Sequence, residues 1–239
     1  MIIISCKYTN DIGLKTEFKV PNKFPYTGSS STIEDVYLAC KTHMPNEKIV
    51  VVDSNSEDKS YYNLLEGVDI IEGNENYEVG AIWKAYEKYP NEEHYMFLQD
   101  TTIPITDLTK HYPNSDKEIS SFFYSNNYES NKIGEQEWCI SHIKICDIPY
   151  KPYGFKTFVF NLFICKNQFL KELKGKNFHK ILPTNKMGSA CMENLLGMVA
   201  VQLGYKVNYI FGHISETYNE FGVNLHRNDY IIKNFGKKD

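Results

Sequence analysis

Three short polar clusters in this chain each follow an apolar run, and chemistry is expected there. Lys7-Tyr8-Thr9-Asn10 follows the run Met1 to Cys6. Asp53-Ser54-Asn55-Ser56-Glu57-Asp58 follows Lys48 to Val52, and Gln99-Asp100-Thr101-Thr102 follows Tyr95 to Leu98. Amides, hydroxyls and carboxylates placed this way hold polar ligands, and an aspartate oxygen is a ligand for a hard divalent cation. No G-x-G-x-x-G follows the first run, which disfavours a dinucleotide-binding oxidoreductase or a methyltransferase. No G-x-x-x-x-G-K-[ST] occurs, so a phosphate loop is excluded. Any nucleotide bound here must be held by side chains and a metal ion.

The apolar runs that precede these clusters read as buried strands. Residues 2–8 begin the chain as a strand, and Lys48 to Val52 is a continuous apolar run of the kind found in parallel sheets. Residues 11–30, with Gly13, Pro21, Pro25 and Gly28, read as a loop or hairpin. Ser31 and Thr32 with Glu34 cap a helix that Pro45 stops. A helix over Ser60 to Leu65, a strand over Val68 to Ile71, a helix over Val79 to Tyr89 and a strand over Tyr95 to Leu98 follow. Strands and helices alternating at these lengths argue for βαβ units and an α/β fold. After Pro104 the rhythm changes, and residues 119–165 read as mixed strands and loops. A helix returns over Met187 to Leu203, Gly204 ends it, and Tyr205 to Phe211 is a late strand. In an open α/β sheet a ligand lies beyond the carboxyl ends of the strands, where the three polar clusters fall.

Composition narrows the classes. The 239 residues suit one generous domain, and 42% hydrophobic residues can fill its core. A net charge of −4 argues against a nucleic-acid binder, which needs a cationic face. No stretch approaches the roughly 18 apolar residues of a membrane span, and no signal peptide is read, so a cytoplasmic location is expected. The six cysteines form no C-x-x-C pair and read as buried free thiols. Arg227 is the one arginine, so guanidinium groups are almost absent.

Several of these segments, in order, resemble the GT-A-fold glycosyltransferases, especially their large family-2-like group. Val51-Val52-Asp53-Ser54-Asn55-Ser56-Glu57-Asp58 resembles the V-V-D-D-G-S-x-D stretch of that family. Asn76-Tyr77-Glu78-Val79-Gly80-Ala81 is similar to its N-x-G-x-A helix start, and Tyr95 to Thr101 to the strand leading into its D-x-D. Asn161 to Lys166 is similar to the strand before the acceptor helix. Met192-Glu193-Asn194-Leu195-Leu196 with Gly204-Tyr205-Lys206-Val207 resembles E-D-x-x-L and G-Y-x-V. The resemblance implies a GT-A-like, Rossmann-like α/β domain over residues 1–239, with a mixed, mostly parallel central sheet flanked by helices. Residues 1–104 would form the nucleotide-sugar half and 105–239 the acceptor half.

The same resemblance implies a metal-dependent transfer of sugar from a nucleoside-diphosphate donor, UDP- or GDP-linked, to a hydroxyl of a glycan. Tyr8, Thr9, Asp53 and Gln99 would bind the nucleotide, and Asp100 with His213 would hold Mn²⁺ or Mg²⁺ against the diphosphate. Glu193 would be the base that takes the acceptor proton in an inverting displacement. In a helix's first turns it would also suit the macrodipole. Trp138, set in the polar context Gly134-Glu135-Gln136-Glu137, would stack an acceptor sugar. Gln99-Asp100-Thr101 departs from the family in offering one carboxylate where two are usual, and Met192 stands where the family has an acid. Both departures leave open a non-catalytic binding protein of this fold. A sugar-phosphate nucleotidyltransferase is a further alternative, and a retaining mechanism is another.

Overall fold

The computed structural model describes residues 1–7, 33–125, 133–148, 156–214, 218–219, 225–227 and 230–234. Its centre is β1 (Ile2–Cys6), an apolar strand buried along almost its whole length. β1 pairs in parallel with β2 (Ile49–Asp53) on one side and with β4 (His94–Gln99) on the other. β3 (Asp69–Ile71) continues the sheet beyond β2. Beyond β4 come β7 (Phe163–Lys166), β6 (Glu118–Ser121) and β8 (Lys206–Tyr209). β7 runs antiparallel to both of its neighbours, and β6 and β8 pair in parallel. The seven strands form the α/β, mixed and mostly parallel sheet that the sequence predicts.

Strand alternation explains the layers. Successive residues of a strand point to opposite faces, so β1 feeds two cores. Ile3, with Val50, Val52, Tyr95 and Phe97, packs on α2 (Tyr77–Lys88), α3 (Ile133–Ile145), α4 (Asn167–Gly175) and α5 (Lys186–Gln202). Ile2 and Ile4, with Val51, Met96 and Leu98, pack on α1 (Ile33–His43) through Ile33, Val36, Tyr37 and Cys40. A smaller antiparallel sheet joins β5 (Thr102–Pro104) to β11 (Ile231–Asn234), β10 (Leu225–Arg227) and β9 (Tyr218–Asn219).

The structure differs from the sequence reading in two places. Ser60–Leu64 is a tight 3₁₀ turn, because Tyr61 is drawn inward to a buried partner. Residues 133–145, within the stretch 119–165 read as mixed strands and loops, form α3, whose Cys139 and Ile143 recur at helical spacing and are buried. Helix α4 buries Phe169, Leu170 and Leu173 and exposes Lys171 and Lys174. Residues 11–30 and the Ser31–Thr32 cap lie outside the described residues. All six cysteines are free and buried. Burial pushes the Cys40, Cys146 and Cys165 thiols up. No described helix is long and apolar enough to cross a membrane.

Helix α5 approaches the main chain ahead of β7 very closely. A Cβ on Gly197 would lie 2.1 Å from the Lys156 carbonyl oxygen, so only glycine fits without a shift. Gly197→Ala should therefore lower stability by about 1–3 kcal/mol through overpacking, despite a helix-propensity gain of about 1 kcal/mol. Urea unfolding measures this, and a stabilised variant would show that the contact is loose.

Candidate functional site

The pairing register brings the polar clusters together. Cys6 stands opposite Asp53 and Ser5 opposite Gln99, so the clusters after β1, β2 and β4 open onto one edge. The chain proceeds from β1 to β2 and β3 on one side and then returns to β4 on the other. The order therefore reverses at β1, and a crevice opens at such a switch point. Hydrogen bonds lace the three loops together. Ser54 N donates to Cys6 O at 2.8 Å, and Asp100 N donates to Ser5 O at 2.9 Å. Lys7 N donates to the Asp100 carboxylate at 3.1 Å. Tyr8 and Thr9 lie outside the described residues.

Asp53 is fully buried at the end of β2. Its carboxylate accepts from Ser56 N at 3.3 and 3.2 Å, from the Ser56 hydroxyl, and from Tyr61 Oη at 2.8 Å. These bonds close a turn in which Asn55 adopts a left-handed conformation, which asparagine tolerates. Burial, then the neighbouring Cys6 and the Asp53 carboxylate, push the Tyr61 phenol up, so it stays a donor. Asp53 thus holds the shape of the loop that borders the crevice.

A second polar knot, centred on a residue to which sequence reasoning gave no role, ties the crevice to the helices. Gln99 Nε2 donates to Glu78 Oε1 and to Phe160 O, both at 3.1 Å. Glu78 Oε2 accepts from Ser189 Oγ, in the first turn of α5, at 2.7 Å. One carboxylate therefore joins the end of β4, the start of α2 and the start of α5. Beside it, Phe160 and Asn161 both have positive φ, 60° and 54°. Strain of this kind in non-glycine residues gathers at functional sites. Asn161 is 3% exposed, and its Oδ1 is buried without a hydrogen-bond partner. Ser5, Glu78, Gln99, Phe160 and Asn161 line a small pocket with room for about one water molecule.

Glu193 is half-buried on α5, one turn beyond Ser189 on the same face. Its carbonyl accepts from Phe158 N at 2.9 Å, so it borders the segment that delivers Phe160 and Asn161. α5 begins at Lys186, so Glu193 lies in the third turn, and the macrodipole explanation for an acid there does not apply. Met192 is fully buried and belongs to the core.

Asp100 follows β4 and His213 follows β8, and β7 and β6 stand between those strands in the sheet. His213 is bridged to Tyr124, its ring edge-on to the tyrosine at 5.2 Å. Among the described residues no three His, Cys, Asp or Glu side chains form a group able to hold a metal ion. Trp138 lies on α3, where it stacks on His142 at 3.7 Å. Its ring lies 3.2 Å from where a Gly188 Cβ would sit, so it packs against the first turn of α5. The polar stretch before Trp138 is the first turn of α3.

No family model matches this chain, and no curated protein does. Several solved structures are similar in overall course. A galactosyltransferase, LgtC, in complex with donor and acceptor sugar analogs is 9% identical, with a TM-score of 0.45 over 87% of this chain and 72% of that one. A CMP:2-keto-3-deoxy-manno-octonic acid synthetase complexed with CTP is 10% identical, with a TM-score of 0.47 over 88% of both chains. An inositol-1-phosphate CTP transferase from T. maritima is 14% identical, with a TM-score of 0.42 over 88% of this chain and 85% of that one. Likenesses of this degree carry no residue roles.

The Asp53 turn gives a stability prediction. Tyr61→Phe deletes one donor to a buried carboxylate and should cost about 1–2 kcal/mol, read by urea unfolding. An unchanged midpoint would mean that Tyr61 does not hold this loop.

Proposed function

We propose that this protein transfers a sugar from a nucleoside-diphosphate donor, UDP- or GDP-linked, to a hydroxyl group of a glycan. The observation that supports this reading best is the convergence of the β1, β2 and β4 ends at one switch point. The Gln99–Glu78–Ser189 relay ties the start of α5, the helix that carries Glu193, to the same edge.

In this reading the donor lies across the carboxyl ends of β1 and β4. The loop shaped by Asp53 and the Gln99 carboxamide orient its nucleotide. Glu193 accepts the proton of the acceptor hydroxyl as that oxygen attacks the anomeric carbon. The new glycosidic bond forms as the bond from that carbon to the diphosphate breaks, and the nucleoside diphosphate leaves with the electron pair. Attack from the face opposite the leaving group inverts the anomeric configuration. Glu78 fixes the Gln99 carboxamide and the start of α5, so binding and proton removal share one rigid frame.

One observation favours a second reading, a non-catalytic nucleotide- or glycan-binding protein. The Asp53 carboxylate is occupied by its own loop, and the described residues form no cation cage.

A thermal-shift panel of nucleotide sugars, each with EDTA and with added Mn²⁺, tests the shared part of both readings. A bound donor raises the unfolding midpoint by mass action. Glu193→Gln separates the two. It should keep the donor-induced shift while transfer falls by about 10²–10⁴-fold, the range for losing a general base. Normal transfer by that variant places the base elsewhere. A panel in which no nucleotide sugar shifts the midpoint removes the donor assignment altogether.

A further inference from the structure

The carboxyl ends of β6 and β8 share the edge used by β1, β2 and β4, and they carry a second cluster. Tyr124, just past β6, and Tyr209, the last residue of β8, stand with ring centroids 4.9 Å apart. The Lys156 ammonium lies 3.5 Å from the Tyr124 ring centroid and 5.1 Å from that of Tyr209. Lys156 is half-buried, yet no described carboxylate pairs with it. Lys166, equally half-buried, has Asp116 at 3.5 Å. Burial pushes the Tyr209 phenol up to about 12, so that ring stays neutral near pH 7. The rings hold the ammonium by cation–π attraction, and among the described residues no carboxylate compensates its charge. A positive charge held this way on a ligand-binding edge attracts an anion.

Its position says which part of a substrate it meets. Ser125 N donates to Thr157 Oγ1 at 3.0 Å, and Thr157 Oγ1 donates to Ser125 O at 3.1 Å, which joins the Lys156 segment to that of Tyr124. On its other side Lys156 abuts Gly197, one turn of α5 beyond Glu193. The main-chain segment of Lys156 therefore borders the helix that carries Glu193, while β7 separates β6 from the β4 end of the crevice. It lies toward the acceptor.

We propose that Lys156, held between Tyr124 and Tyr209, is a subsite for a carboxylate on the acceptor sugar, so that the acceptor is an acidic glycan. This assignment rests on the reading of Glu193 as the base that faces the acceptor. A diphosphate bears a similar charge, so the experiment separates the two anions.

The full chain, in EDTA, is titrated by saturation-transfer NMR with hexuronates, with the neutral hexoses of the same configuration and with inorganic pyrophosphate. Wild type should bind a hexuronate about tenfold more tightly than its hexose, a gap of about 1.4 kcal/mol. K156Q should erase that preference while leaving hexose and pyrophosphate binding unchanged, and K156R should restore most of it. Rising salt should erode the preference in wild type, a check that needs no variant. Equal affinity for acid and neutral sugars, or no binding of either, overturns the proposal. So does a K156Q protein that loses pyrophosphate and keeps hexuronate, because the cation then serves the donor. If no nucleotide sugar binds while the hexuronate preference and its loss in K156Q persist, the transferase reading fails and the carboxylate site stands. If donors bind and turn over but the preference is absent, the carboxylate site alone fails.

Discussion

Everything in this molecule hangs on β1 being hydrogen-bonded in parallel on both sides while both of its faces are buried. A strand in that position has no freedom of register. A slip of one residue would turn Ile2 and Ile4 toward the core built for Ile3. The register in turn fixes Cys6 beside Asp53 and Ser5 beside Gln99. Polar residues that could not be buried in the sheet are thereby delivered to one edge, at neighbouring strands about 4.8 Å apart. The crevice follows from core packing, and its chemistry is set by the residues that end each strand.

What the sheet cannot do is bring helices to that edge in a set orientation, and Glu78 supplies this. It is half-buried, and its two oxygens accept from Gln99 and Ser189, so it links a strand end to a helix start. A carboxylate used this way is already engaged before any ligand arrives, as is Asp53. The edge therefore spends two of its acids on shape. Rigid placement of the groups that face a ligand is the return, because catalytic and binding geometry degrades sharply with displacements of about 1 Å.

Much of this architecture is readable from the sequence, and the unread part has a common cause. β1, β2 and β4 are readable because fully buried strands are apolar runs that polar residues must end. The Asp53 turn is local too, with partners three and eight residues away. Glu78 is not readable, because its partners lie 21 and 111 residues along the chain. Helix α3 is hidden for a different reason. Gly134-Glu135-Gln136-Glu137 looks like loop when read alone, although Cys139, Ile143 and Cys146 mark a buried helical stripe just beyond. Trp138, read only by its polar context, follows that stretch on the same helix. On α3 it is partly buried between His142 and α5.

The distribution of charge along the edge connects these points. A chain with a single arginine has few ways to meet an anion, and most of its described ion pairs are surface lysine–carboxylate contacts such as Lys59–Glu72 and Lys88–Asp69. Such pairs are solvated and contribute little. Lys156 is arranged differently, with aromatic rings in place of a carboxylate. Rings attract the ammonium without cancelling its charge, so the group keeps its place and its field together. A carboxylate in that position would lock the lysine as firmly and remove its attraction for a ligand. The crevice end of the edge thus has Asp53 and Glu78 engaged in internal bonds, and at the β6–β8 end no described carboxylate pairs with the Lys156 ammonium.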